Sequence, residues 1–325
     1  MTHPLPVALA IVGPTAVGKS DVSLAVARLL ADGGGAQASG AEAINAEVIN
    51  ADSMQFYRGM DIGTAKLSIP ERQGIPHHHI DTLDVHEDAS AARYQADGRR
   101  DLGDIAKRGA VPLVVGGSGL YLRALLDTFE FPGTDPELRA ALESRAREEG
   151  PGILHRELAE RDPVAAAKIS PQNAKRIVRA LEILELAGQY ESSLPRHQYA
   201  VDAVQVGLDI PTEILDERIA ARVERMWEAG LVDEVRALES RGLREGVTAR
   251  RAVGYAETLA HLDGELDADQ TRELIARNTR RLARRQRRWF APDPRITWLE
   301  GPRGAKDIER VAHAVVEAYR ASRVP

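Results

Sequence analysis

Residues 13–20 read Gly-Pro-Thr-Ala-Val-Gly-Lys-Ser, and no other stretch of the chain limits its fold so tightly. The order G-x-x-x-x-G-K-S is that of a loop whose backbone amides close around a phosphate. The apolar run Val7–Val12 before it suits a buried parallel strand. After it, Asp21–Leu30 carries Val22, Leu24, Ala25, Val26 and Leu29 as a helical stripe. Glycines at 13 and 18 let N–H groups turn inward, and the helix N-terminus adds partial positive charge. Gly13, Pro14, Thr15, Ala16, Val17, Gly18, Lys19 and Ser20 are therefore the expected anion cradle, with Lys19 on the outer phosphates and the Ser20 hydroxyl on Mg²⁺. The loop does not say which phosphorylated molecule it holds. It does predict an α/β fold of the P-loop NTPase-like kind, a parallel sheet flanked by helices.

Four further strands are legible, Ala203–Ile210 and Ile296–Leu299 late in the chain and two earlier ones that run into polar or glycine-rich ends. Val48-Ile49 leads into Asn50-Ala-Asp-Ser-Met-Gln, and Val111–Val115 leads into Gly116-Gly-Ser-Gly-Leu-Tyr. In an open α/β sheet that edge is where ligands sit, which makes Asp52 a candidate for acid–base work or a water-bridged Mg²⁺ contact, or else a helix N-cap. His77, His78 and His79 are adjacent, so neighbouring side chains on a strand point to opposite faces and do not share one ion. Ala31–Ala46 and Glu191–Ala200 read as loops, and Ser90–Arg108 as a helix. Residues 130–200 read as a helical insertion within a core of 1–129 and 201–325. Asp135-Pro136 and Ser170-Pro171 mark helix starts there, and Gly188 marks a stop. Asp307–Ser322 reads as a terminal helix.

The net charge is −6, yet Arg272–Arg288 holds eight arginines and one acid. Arg277, Arg280, Arg281, Arg284, Arg285 and Arg288 recur at helical spacing, a concentrated basic stripe that fits a phosphodiester partner. Trp289 and Phe290 close that helix, with core packing as their expected role. The chain has no cysteine and no apolar run near the ~20 residues that span a bilayer. It also lacks the charged start of a secretory leader, so a cytoplasmic protein without membrane association is expected, and a monomer.

G-P-T-A-V-G-K-S, I-N-A-D-S-M-Q, M-D-I-G-T-A-K (60–66) and G-G-S-G-L-Y together resemble the bacterial tRNA dimethylallyltransferases, over nearly the whole chain. Ser118 stands where that family usually has Thr, which keeps the hydroxyl. The resemblance implies transfer of a dimethylallyl group from dimethylallyl diphosphate to the exocyclic N6 amine of the adenosine just 3′ of the anticodon, in tRNAs reading codons that begin with U. It implies that the phosphate loop holds the donor diphosphate, together with Arg222, and that no ATP is spent. Asp52, with Thr15 nearby, becomes the candidate base. Ser53, Met54 and Gln55 are expected to line the acceptor pocket beside Ser118. Arg139 and the stretch Gln172–Arg176 of the insertion, and Arg251 and Tyr255 beyond it, match positions that meet the tRNA anticodon stem-loop, joined by Arg280, Arg281 and Arg284 of the stripe. A P-loop kinase of a small molecule or nucleotide, and prenyl transfer to free adenine nucleotides, are the competing readings.

Overall fold

Strands β1 (Ala8–Val12), β2 (Ala46–Asn50), β3 (His77–His78), β4 (Val111–Gly116), β5 (Ala203–Asp209) and β6 (Ile296–Glu300) form one sheet in the order β3-β2-β4-β1-β5-β6. The computed structural model describes residues 7–33, 43–128, 131–190 and 197–322. Every pairing is parallel, with Ile11 of β1 opposite Val115 and Val206. A parallel sheet needs crossovers, so helices cover both faces and its central strands are apolar throughout. All residues of β1 and β4 are accordingly buried. The carboxyl ends of all strands meet at one edge, which gathers the three motif loops there. Residues 34–42 and 191–196, within the stretches read from sequence as flexible or polar, lie outside the described residues.

Helices α1 (Lys19–Ala31), α2 (Ala91–Lys107) and α3 (Gly119–Leu126) follow the first strands. The insertion holds α4 (Pro136–Glu148), α5 (Pro151–Arg161), α6 (Pro163–Lys168) and α7 (Ala174–Ala187). After β5 come α8 (Thr212–Glu228), α9 (Leu231–Glu239), α10 (Tyr255–Leu262), α11 (Ala268–Phe290) and α12 (Ile308–Ala321). Among the described residues no helix is long and apolar enough to cross a membrane.

The chain divides into two compact units, Met1–Asp127 with Tyr199–Pro325, and Thr128–Gln198. The second has its own core, in which Leu142, Leu154, Leu158, Ile177 and Leu181 pack together. Asp135 caps α4 by accepting from the amides of Glu137 and Leu138, as its Asp-Pro start predicts. The predicted start of α7 at Ser170-Pro171 is wrong by one turn. Asn173 is the cap, because its side chain accepts from the Arg176 amide, and Gln172 lies in the turn before the helix rather than on it. Helices α5 and α6 escaped the sequence reading, although Pro151 and Pro163 occupy the first helical position of each.

Glu182 is the electrostatic centre of this unit. It is fully buried and accepts from Arg139 Nη2 (2.7 Å), Arg179 Nη1 (2.8 Å) and the Asp135 amide (3.0 Å). Burial alone would raise its carboxyl, but the guanidiniums of Arg179 and Arg139 hold it below the usual range. Arg179 also donates to the carbonyls of Pro132 and Gly133, so it ties the segment before α4 to α7. Glu182→Ala should cost the helical unit about 2–3 kcal/mol, since both arginines keep some access to water. Amide hydrogen exchange in α4 and α7 should report that loss, with β1 and β4 unaffected.

Candidate active site

The loop at residues 13–20 takes its shape from backbone positions that few residues tolerate. Gly13 has φ 146°, Ala16 φ 65° and Gly18 φ 100°. A Cβ on Gly13 would lie 2.3 Å from the Leu208 carbonyl oxygen of β5, so the loop hugs the neighbouring strand as only glycine allows. Lys19 Nζ donates back to the carbonyls of Gly13 (3.0 Å) and Pro14 (2.8 Å). The Thr15 amide donates to Gln286 Oε1 of α11 at 2.8 Å, a tie across nearly the whole sequence.

Asp52 emerges from β2, two strands from β1, and fills the cap role expected of it. Its Oδ1 accepts from the Met54 amide at 3.1 Å, capping the short 3₁₀ turn Ser53–Phe56. Its carboxylate is also close enough to Lys19 for the two charges to act on each other. Gly116 ends the intervening strand β4, and a Cβ there would stand 2.4 Å from the Ala51 carbonyl oxygen, so the β2 and β4 ends close up on one another.

A cavity of about 180 Å³ lies at this edge, with Thr15, Ala16, Gly18, Lys19, Ser20 and Arg222 on its loop side. Asp52, Asn50 and Gln55 are also in its lining, and Val48, Leu67, Ile80 and Val115 supply apolar surface. Burial lowers the Lys19 ammonium to about 8, with Asp52 opposing that and Arg222 adding to it. Burial pushes the Asp52 carboxyl up, against the pull of the Met54 amide and Lys19. Arg222 is lowered by burial and then by Arg225 and Arg218, with Asp21 as the one carboxylate in opposition.

A sequence profile described as IPP transferase matches residues 55–293. The chain is 55% identical over 310 residues to a tRNA dimethylallyltransferase of Kineococcus radiotolerans, covering 95% of each. The chain belongs to the IPP transferase family. Among solved structures, a full-length tRNA isopentenylpyrophosphate transferase from Bacillus halodurans superposes with a TM-score of 0.68 at 36% identity, covering 96% of each chain. A eukaryotic dimethylallyltransferase, captured acting on tRNA, superposes with a TM-score of 0.80 at 27% identity, over 98% of this chain and 80% of its own.

Not every expected site residue of this IPP transferase lies in the cavity. Gln55 does, but Ser53, Met54 and Ser118 are absent from its lining. The 3₁₀ turn carries Met54 toward the core, where it is partly buried. Tyr255 was expected to meet tRNA. It is wholly buried instead, and its hydroxyl donates to Glu234 at 2.6 Å, so no ligand reaches it from the surface. Arg251, Arg281, Arg284 and Arg285 are exposed, as are Gln172 and Arg176 of the helical unit. Arg280 and Arg284 share Asp216 of α8, at 3.9 and 2.8 Å, which offsets part of the stripe's charge. Phe290 is core, but Trp289 is 39% exposed and lies over Gly119.

The histidines behave as separate residues. His77 Nδ1 is 2.7 Å from the Ile75 carbonyl, His78 Nε2 2.7 Å from Glu47 and His79 Nε2 2.9 Å from Asp101. No cluster of three or more His, Cys, Asp or Glu able to hold a metal occurs among the described residues. Sequence reasoning missed Gln286, Glu234 and the apolar lining from Leu67 and Ile80, because their roles arise only between residues distant in the chain.

Lys19 gives a pH dependence with a definite sign. In the free folded chain the ammonium loses its proton near pH 8, well before the same side chain in unfolded protein at 10.5. Its burial therefore destabilises fully below pH 8, and the penalty fades as pH rises toward 10.5. An anion bound beside it favours the charged form. Inorganic diphosphate should bind with proton uptake near pH 8 and weaken above it. Calorimetry in buffers of different ionisation enthalpy should detect that uptake, and Lys19→Met should abolish it.

Proposed function

We propose that this chain transfers the dimethylallyl group of dimethylallyl diphosphate to the exocyclic N6 amine of the adenosine immediately 3′ of the anticodon, in tRNAs reading codons that begin with U. The observation that carries the reading is the make-up of the cavity lining. Residues of the 13–20 loop, Lys19 and Arg222 line the same cavity as Val48, Leu67, Ile80, Val115 and Asp52. The cationic groups suit a diphosphate and the apolar side chains a five-carbon allyl group.

In the reaction the amine nitrogen forms a bond to the allylic carbon as the bond from that carbon to the diphosphate oxygen breaks. Charge accumulates on the leaving oxygen, where the loop amides, Lys19 and Arg222 stabilise it. The amine must lose a proton, and Asp52 accepts it. Burial makes Asp52 a stronger base than an exposed carboxylate. Thr15 lines the same cavity, and Gln286 holds its amide. The hard oxygen donors around Ser20 suit Mg²⁺, which would be held by the Ser20 hydroxyl and would offset diphosphate charge. The adenine must leave its stack to enter the cavity.

For the tRNA itself, Arg251, Arg277, Arg281, Arg285 and Arg288 offer exposed positive charge. In the helical unit, Arg139, Gln172 and Arg176 are the proposed grip on the stem-loop. The shared chemistry with tRNA-modifying relatives supports a cytoplasmic site of action.

Incubation with labelled dimethylallyl diphosphate, Mg²⁺, unmodified tRNA and AMP should place the label on the tRNA adenosine. Label on AMP, or phosphoryl transfer from ATP in its place, would reject the reading. Asp52→Ala should slow single-turnover transfer by about 10²–10⁴-fold while tRNA affinity holds. Arg281→Gln with Arg285→Gln should weaken tRNA binding and flatten its salt dependence, by a slope of about 0.7 for each single-stranded phosphate no longer neutralised. Filter binding across a salt series measures that slope.

A further inference from the structure

Residues 61–67 form the cavity wall that contributes Thr64, Ala65 and Leu67. This segment has little regular structure of its own, and Ala65 sits at φ 50°, a backbone conformation alanine rarely adopts. Ties from elsewhere must hold it. At its far end the nearly buried Lys66 donates to Asp61 (2.7 Å), Asp81 (2.6 Å) and the Tyr57 carbonyl (2.8 Å). At its near end one carboxylate does the holding. Glu234 Oε2 accepts from the amides of Asp61 (3.0 Å) and Ile62 (2.7 Å), and its Oε1 from the Gly63 amide (3.1 Å) and the Tyr255 hydroxyl (2.6 Å).

All four donors are neutral, and among the described residues no basic side chain pairs with Glu234. Burial first, and then the charge on Glu234, keep the Tyr255 hydroxyl protonated and donating. The fit admits no side chain at Gly63, where a Cβ would stand 2.5 Å from the Tyr255 ring. Gln55, which also lines the cavity, donates to the Thr64 carbonyl at 3.2 Å and so rests on the same segment. Glu234 itself is absent from the cavity lining, so it acts through the wall rather than on a bound molecule.

We propose that Glu234 is a positioning residue for prenyl transfer, suspending the 61–67 wall from α9 so that water is kept from the allylic carbon. This rests on the prenyl-transfer reading above. A displaced wall opens a second outcome for the donor. Water then adds to the allylic carbon, the bond to the diphosphate oxygen breaks, and a proton passes to solvent, giving dimethylallyl alcohol and diphosphate. A purely structural role for Glu234 would lower stability without changing how the donor is partitioned.

The test measures dimethylallyl alcohol and prenylated tRNA from the same labelled donor. Glu234→Gln keeps the side-chain volume but turns an NH₂ toward N–H donors, so at least one amide tie is lost. It should raise the KM for donor and increase the ratio of alcohol to prenylated tRNA about tenfold or more, with tRNA affinity unchanged. Glu234→Ala should do the same. A folded Glu234→Gln protein with wild-type KM and wild-type partition overturns the proposal. Should both variants fail to fold, Tyr255→Phe decides it, since that change removes one donor from the carboxylate. Alcohol release above wild type supports the proposal, and wild-type release overturns it. Absence of any tRNA prenylation by the wild-type chain would instead refute the prenyl-transfer reading itself.

Discussion

Lys19 and Asp52 share one desolvated cavity, and the rest of the site is arranged by that requirement. Their strands are not neighbours, because β4 runs between β1 and β2. Two features of the fold bring them together. The parallel sheet puts every strand's carboxyl end on the same edge, and β4 ends there in Gly116, with no side chain to intrude. Burial then dominates both groups, loosening the lysine's proton and tightening the carboxyl's, while their mutual attraction opposes each shift. The result is a carboxylate with more affinity for a proton than an exposed one has, in the same lining as an ammonium that a bound anion would hold in its charged form. A transfer that releases an anion and a proton together needs both of these.

How much of this could be read from the residues alone depended on how far apart in the chain the interacting groups lie. The 13–20 loop, its strand and its helix are local, and their glycines and apolar spacing announced that geometry. The Asp135 cap was legible for the same reason. At Ser170-Pro171 two cap-like signals competed within one turn, and the hydrogen bond from Arg176 to Asn173 decided the matter in a way spacing could not. Tyr255 was expected at the tRNA because its segment resembles one that meets tRNA, yet the chain buries it against Gly63. Gln286 sits in the most basic stretch of the sequence and points inward to the Thr15 amide, 271 residues away. Nothing in its immediate neighbours signals that.

The same helix thus faces two ways. Along α11, Thr271, Ile275, Ala276, Ala283, Gln286 and Phe290 are buried, while the arginines between them reach solvent. Near its end, Arg287 bonds to Asp209, to the Thr212 hydroxyl and to the Ile210 carbonyl at the carboxyl end of β5. Gln286 and Arg287 therefore fasten the helix to the edge of the sheet that carries the phosphate loop. A basic stripe on a loosely attached helix could concentrate RNA without orienting it.

On the proposed role of the stripe, that attachment would let a chain of net charge −6 recruit a polyanion. At physiological salt a charge is felt over only ~8 Å, so a phosphodiester responds to the nearest side chains and not to the protein's total. Asp216 offsets part of the stripe on the α8 side, at Arg280 and Arg284. No acid is paired with Arg281, Arg285 or Arg288 among the described residues. The unpaired positive charge of α11 therefore lies on the face that carries Arg281, Arg285 and Arg288, and that helix is tied to Thr15 of the cavity lining through Gln286. On the proposed reading, charge placed on one well-anchored helix would direct RNA to the active-site edge of a chain whose net charge is negative.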